Sequence, residues 1–133
     1  MKNMKNYFFL ILTALLISCS NSDNDSSNVN LFNPPNWIRG NWIDDASFGF
    51  RFTSNNVCQL ISTNQNCFKE MMENYISIDV ISASVDEEII SDNEYKFSYT
   101  VSGVTQYFHF VKLTNTSIEY VQSTGVNPVY YKQ

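Results

Sequence analysis

Beyond residue 34, apolar and polar positions alternate along most of the chain with a period of two. Ser47-Phe48-Gly49-Phe50-Arg51-Phe52-Thr53 places three phenylalanines on one side, and Tyr95, Phe97, Tyr99 and Val101 alternate with Lys96, Ser98, Thr100 and Ser102. Successive strand side chains point to opposite faces, so this alternation predicts strands with one face buried. Turn residues separate the alternating runs. Ser54-Asn55-Asn56 leads into a strand over 57–62, Ser102-Gly103 into 106–113, Thr114-Asn115 into 117–122, and Ser123-Thr124-Gly125 into 128–132. A further strand is predicted over 75–85, and Asp86-Glu87-Glu88 and Ser91-Asp92-Asn93 read as a solvated connection around Ile89-Ile90. One stretch departs from the period. Phe68, Met71, Met72 and Tyr75 fall at i, i+3, i+4 and i+7, with Asn66 as N-cap and Lys69, Glu70, Glu73 and Asn74 opposite, which predicts a helix over about 67–74. The fold class is therefore all-β: a small antiparallel meander barrel of about eight strands with one short helix.

The first residues follow another rule. Lys2 and Lys5 precede an uncharged apolar run, Tyr7 to Ile17. As a helix it is about 16 Å long, too short to span a ~30 Å hydrocarbon core, and it describes an export signal. Leu16-Ile17-Ser18-Cys19 resembles the lipobox of bacterial lipoproteins. That resemblance implies a diacylglyceryl group on the Cys19 sulfur, cleavage before Cys19 and a cell-envelope location, with the membrane as a partner through covalent lipid. Several acyl chains make a stable anchor where one holds only marginally. Residues 1–18 are thus read as signal peptide, 19–33 as the lipidated cysteine and a polar tether, and 34–133 as one domain. The Ser/Asp-rich stretch just after Cys19 is similar to signals that carry some lipoproteins to the outer face of the outer membrane.

Composition narrows the partners. The whole chain has eight Lys/Arg and thirteen Asp/Glu, and loss of Lys2 and Lys5 with the leader leaves a formal charge of −7. Nucleic acid is excluded as an expected partner, because phosphate binding draws on clustered cations.

Trp37-Ile38-Arg39-Gly40-Asn41-Trp42, followed by Phe50, Phe52 and Thr53, is similar to the opening of small lipocalin-like lipoproteins. The resemblance implies that Trp42 closes one end of the barrel, that Gly40 permits close backbone approach, and that Trp37, Gly40 and Trp42 either close the barrel or border a pocket for a small apolar ligand.

Chemistry is sparse. With Cys19 lipidated, Cys58 and Cys67 remain, and the oxidising compartment allows a disulfide between them; two separate buried thiols are the alternative. His109 lies mid-strand between Phe108 and Phe110, as a hydrogen-bonded structural histidine would. Cysteine and histidine together are too few for a structural zinc site, and Asp86, Glu87, Glu88, Asp92 and Glu94 lack the spacing of a calcium loop. No phosphate loop or nucleophile elbow occurs, so no catalytic residue, metal or cofactor is expected. Two Trp, eight Tyr and ten Phe are many for 133 residues. They suit a filled core with surplus tyrosines at its ends, or a surface for a ligand or protein. The expected function is a non-catalytic, lipid-anchored binding module for a small apolar ligand, with a protein-binding, inhibitor- or immunity-type lipoprotein as the alternative.

Overall fold

The computed structural model describes residues 31–133. Nine strands form one antiparallel sheet: β1 (Gly40–Ile43), β2 (Phe48–Phe52), β3 (Val57–Ile61), β4 (Asn64–Cys67), β5 (Ala83–Ile90), β6 (Glu94–Val101), β7 (Val104–Lys112), β8 (Ser117–Tyr120) and β9 (Val129–Lys132). One helix, α1 (Phe68–Ile76), joins β4 to β5, and a 3-10 turn, Asn36–Ile38, precedes β1. The strand order is β4-β3-β2-β1-β9-β8-β7-β6-β5, so the first and last strands pair and the two edges fall at β4 and β5. The sheet curls into a half-barrel, consistent with a lipocalin-like fold. Helix α1 contacts β3, β4 and β5 and so spans the gap between the edges.

Local chemistry sets the links. Ser102 and Gly103 both have positive φ, 50° and 82°. This is the two-residue turn whose twist matches the flanking strands. At the β1–β2 link the Asp44 carboxylate accepts hydrogen bonds from the Ala46 and Phe48 amides, both 2.9 Å. Gly49 follows, where a Cβ would lie 1.9 Å from the Trp42 carbonyl oxygen. Only glycine lets β1 and β2 approach so closely there.

Inward-facing side chains build the core. The register pairs Tyr95 with Phe110, Phe97 with Phe108, Trp42 with Phe50 and Phe52 with Val57. Their rings fill the interior at short range: Phe97 to Phe108 is 4.9 Å between centroids, Phe50 to Phe110 4.9 Å, and Phe52 to Phe110 5.0 Å. Phe68 and Met72 bring the predicted apolar stripe of α1 against this core.

Several sequence expectations need correction. The 57–62 run ends at Ile61, and a ninth strand, β4, occupies residues read as the approach to the helix. Cys67 rather than Asn66 precedes α1, without a side-chain cap bond, and the helix runs to Ile76. The expected strand over 75–85 begins only at Ala83, and Asp86-Glu87-Glu88 lies inside β5 rather than in a connection. Acidic residues sit in that strand because β5 is a sheet edge, where charge discourages pairing with other chains. A bulge between Glu87 and Ile89 sends neighbouring carboxylates to different partners. Glu87 takes the Tyr95 hydroxyl, whereas Glu88 pairs with Lys96. The core also reaches back to Leu31 and Phe32, which the sequence reading leaves in the tether: Phe32 is fully buried, 5.3 Å from the Phe97 ring.

Candidate functional site

The inward rows run from one end of the half-barrel to the other, and those of β2, β3, β6 and β7 change from buried to exposed in the same direction. On β6, Tyr95 and Phe97 are buried, whereas Tyr99 and Val101 are partly exposed; on β7, Phe110 is buried, Phe108 half-buried, and Gln106 and Val104 exposed. On β2, Phe52 and Phe50 are buried but Phe48 is 47 % exposed, and on β3 Val57 is buried while its successors Gln59 and Ile61 are exposed. One end is therefore closed and the other open.

The predicted residues Trp37, Gly40 and Trp42 all lie at the closed end. Trp42 is fully buried and its indole N–H donates to the Ile38 carbonyl. Trp37 donates from its indole to the Ser91 carbonyl at 2.7 Å, tying the 3-10 turn to the β5–β6 link. Gly40 has φ +129°, a conformation that side chains rarely adopt, and Lys132 passes beside it with its ammonium 5.1 Å from the Trp42 ring centre. Leu31, Phe32, Pro34 and Ile38 are buried over the same end. Glu87 fastens this segment, accepting hydrogen bonds from the Tyr95 hydroxyl and the Asn33 amide, both 2.6 Å. Burial, and then the hydrogen bond and negative charge of Glu87, hold the Tyr95 phenol far above its ordinary pKa.

The open end is rimmed by phenols. Tyr75 comes from α1, Tyr99 from β6, Tyr120 from β8 and Tyr130 from β9. Burial raises the pKa of Tyr99, and neighbouring Tyr75 adds to it; burial and then Tyr99 raise that of Tyr120; burial, Asp44 and then Tyr120 raise that of Tyr130. The raised phenols of Tyr99, Tyr120 and Tyr130 are protonated at neutral pH. Stacked rings lie behind them, Tyr99 to Phe108 at 5.8 Å and Phe108 to Tyr120 at 6.1 Å. Beyond them the inward rows end in an exposed apolar collar of Phe48, Ile61 and Val104, and Ile76 at the end of α1, Val80 in the link after it and Val126 in the β8–β9 link are also exposed. Tyr120 and Tyr130 are among the surplus tyrosines that the composition places at the ends of a filled core. The sequence reading places Tyr75 on the helix stripe and Tyr99 in an alternating strand, and only the barrel register brings them to one rim.

Cys58 and Cys67 face each other across β3 and β4 and form a disulfide. His109 lies on the outer face, its Nε2 3.4 Å from Glu94 Oε2. Beside it is an open depression of about 500 Å³ bordered by Lys96, Tyr107 and Tyr120. Its cation is already paired with Glu88. Cys19 lies outside the described residues. No group of three or more His, Cys, Asp or Glu among the described residues is arranged to hold a metal ion.

Compared with known proteins, the chain matches no family model, no curated protein and no solved structure. The lipocalin-like description therefore rests on the strand order, the curl of the sheet and the tryptophan-closed end.

Proposed function

We propose that the chain is a lipid-anchored lipoprotein of the cell envelope, acylated at Cys19, whose β-domain is a non-catalytic binding module that engages another envelope protein through its open end. The supporting observation is the apolar collar around that end, standing over an interior already filled by aromatic rings. Exposed apolar residues at one end of a small domain mark a candidate contact surface, and a filled interior leaves a ligand no deep cavity to enter. Geometry also favours presentation. Residues 31–38 enter over the closed end, so a tether from Cys19 would turn that end to the lipid and the collar outward, toward the outer-membrane exterior if the Ser/Asp-rich stretch acts as a surface signal. A small apolar ligand seated among Tyr99, Phe108 and Tyr120 is the second reading, favoured by the partial exposure of those rings.

The test uses the full chain in its native envelope with a photo-crosslinking residue at Val104. A discrete adduct that is lost when the probe moves to Asn36, at the closed end, supports a partner; equal labelling from both ends, or none at Val104, overturns it. Saturable fluorescence of N-phenyl-1-naphthylamine, abolished by Tyr99→Ala, would select the ligand reading instead. Cys19→Ser should lose acyl labelling and membrane fractionation while the domain still folds, and retention on the membrane would refute the anchor.

A further inference from the structure

A second concavity lies on the outer face of the sheet, across β1 to β4, away from the tyrosine rim. Its floor is one lateral row of the register: Ile43 pairs with Gly49, Gly49 with Leu60, and Leu60 with Gln65. Gly49 presents no side chain between the two aliphatic residues, so Ile43 and Leu60 flank a shallow trough of about 320 Å³. That volume is at the small end of the range for small-molecule sites, roughly 300–1,000 Å³. The absence of a side chain is built in, because a Cβ at Gly49 would collide with the Trp42 backbone.

The rim is what distinguishes this trough. Asn41, Asn64 and Gln65 supply carboxamides, and Ser62 and Thr63 supply hydroxyls. None of the side chains bordering it carries a charge, although the chain as a whole is acidic. Among the described residues the side chains of Asn41, Ser62, Thr63, Asn64 and Gln65 make no intramolecular hydrogen bond, whereas the cation of the other outer depression, Lys96, is already paired. Carboxamides and hydroxyls both donate and accept hydrogen bonds. The trough thus offers a narrow apolar floor edged by uncommitted, uncharged groups of both polarities.

We propose that this trough is a binding site for a neutral carbohydrate. A pyranose ring has an apolar C–H face, which matches Ile43 and Leu60, and a rim of hydroxyls that each donate and accept, which matches the carboxamides. An anionic ligand would find no cationic side chain, and a cationic one no acidic side chain. A purely apolar ligand would use only the narrow floor of Ile43 and Leu60 and none of the five polar side chains at the rim. The site is separate from the collar, so the module would hold glycan on its flank while its open end engages protein.

The experiment is an NMR titration of the full chain in detergent micelles with maltotriose, cellotriose, chitotriose and trigalacturonate. One or more of the neutral trisaccharides should shift the amide signals of Leu60, Ser62, Asn64 and Gln65 saturably, with trigalacturonate much weaker. Gln65→Ala combined with Asn64→Ala removes at least two hydrogen bonds and should raise the dissociation constant roughly tenfold or more. Both residues are exposed, so the fold persists, and Val104 crosslinking should be unchanged, which separates this proposal from the reading of the collar. Absence of shifts with every neutral trisaccharide, equal shifts with trigalacturonate, or shifts confined to the tyrosine rim would each overturn it.

Discussion

The two ends of this half-barrel are made from the same inward-facing rows, yet they do different things. At the closed end, Trp42, Tyr95, Phe97 and Phe110 are wholly buried, and each polar tip among them has a partner. At the open end, rows of similar composition finish in Phe48, Ile61 and Val104, the last 63 % exposed. The difference is not hydrophobicity along the strands. It comes from what lies across them: residues 31–38 fold over one end, and hairpin links, the C-terminus of α1 and the link after it border the other. Stability should therefore concentrate at the closed end and recognition at the open one.

The largest effect should come from Trp42. Truncating a buried tryptophan costs about 3–5 kcal/mol, a large share of the ~5–15 kcal/mol that holds a small domain folded. Trp42→Ala should abolish cooperative thermal unfolding or lower its midpoint steeply. A variant as stable as the parent would mean that the closed end is not the structural keystone.

Next is the disulfide, which clips β3 to β4 beside the start of α1. Its cysteines are nine positions apart, and a loop of this size is worth about 2.7 kcal/mol by chain entropy. Cys58→Ala with Cys67→Ala should lower the melting midpoint by roughly 10–20 °C. Reducing agent should reproduce the shift in the parent and leave the double variant unchanged.

Tyr95 separates the ends by pH. Its phenol stays protonated in the fold well above the ordinary range, whereas in the unfolded chain it ionises near 10. Above about pH 10 the unfolded state releases a proton that the folded state keeps. Stability present below that pH is therefore lost, at about 1.4 kcal/mol per pH unit from this residue. Urea unfolding between pH 8 and 11 should show that decline, shallower in Tyr95→Phe. The variant keeps some slope, since the raised phenols of Tyr99, Tyr120 and Tyr130 act in the same direction. Identical slopes would show that Tyr95 ionises without unfolding.

Most of the closed end was legible in the sequence, and little of the open end was. Gly40 and Trp42 advertise themselves as an isolated Gly-x-Trp, and the 95–101 alternation is unbroken. Phe32 escaped because a single aromatic after a polar run has no periodicity to show. β5 escaped because an edge strand carrying Asp86, Glu87 and Glu88 has the composition of a loop, although its tertiary pairing with β6 makes it a strand. The tyrosine rim needs four elements distant in sequence to meet, and no local pattern encodes that meeting. The outer trough needs the lateral register of β1 to β4, which alternation alone does not fix.

The smallest expected effect on stability sharpens the comparison most. Phe48 and Val104 belong to inward rows, so a reading from sequence alone would rank them with Phe50 and Phe110 as core. Their exposure places them in the collar, and substitutions outside packed interiors usually stay within about ±0.5 kcal/mol. Phe48→Ser and Val104→Ser should therefore unfold almost with the parent, while Phe50→Ala, one register step inward, should lose about 3–5 kcal/mol. The same two serine variants should lose partner capture in the envelope. Two results would undo the contrast between ends. If the serine variants unfold early, the collar is core and the open end is closed in solution. If they unfold normally and still capture partner, recognition lies elsewhere on the domain, and the collar is surface without a role.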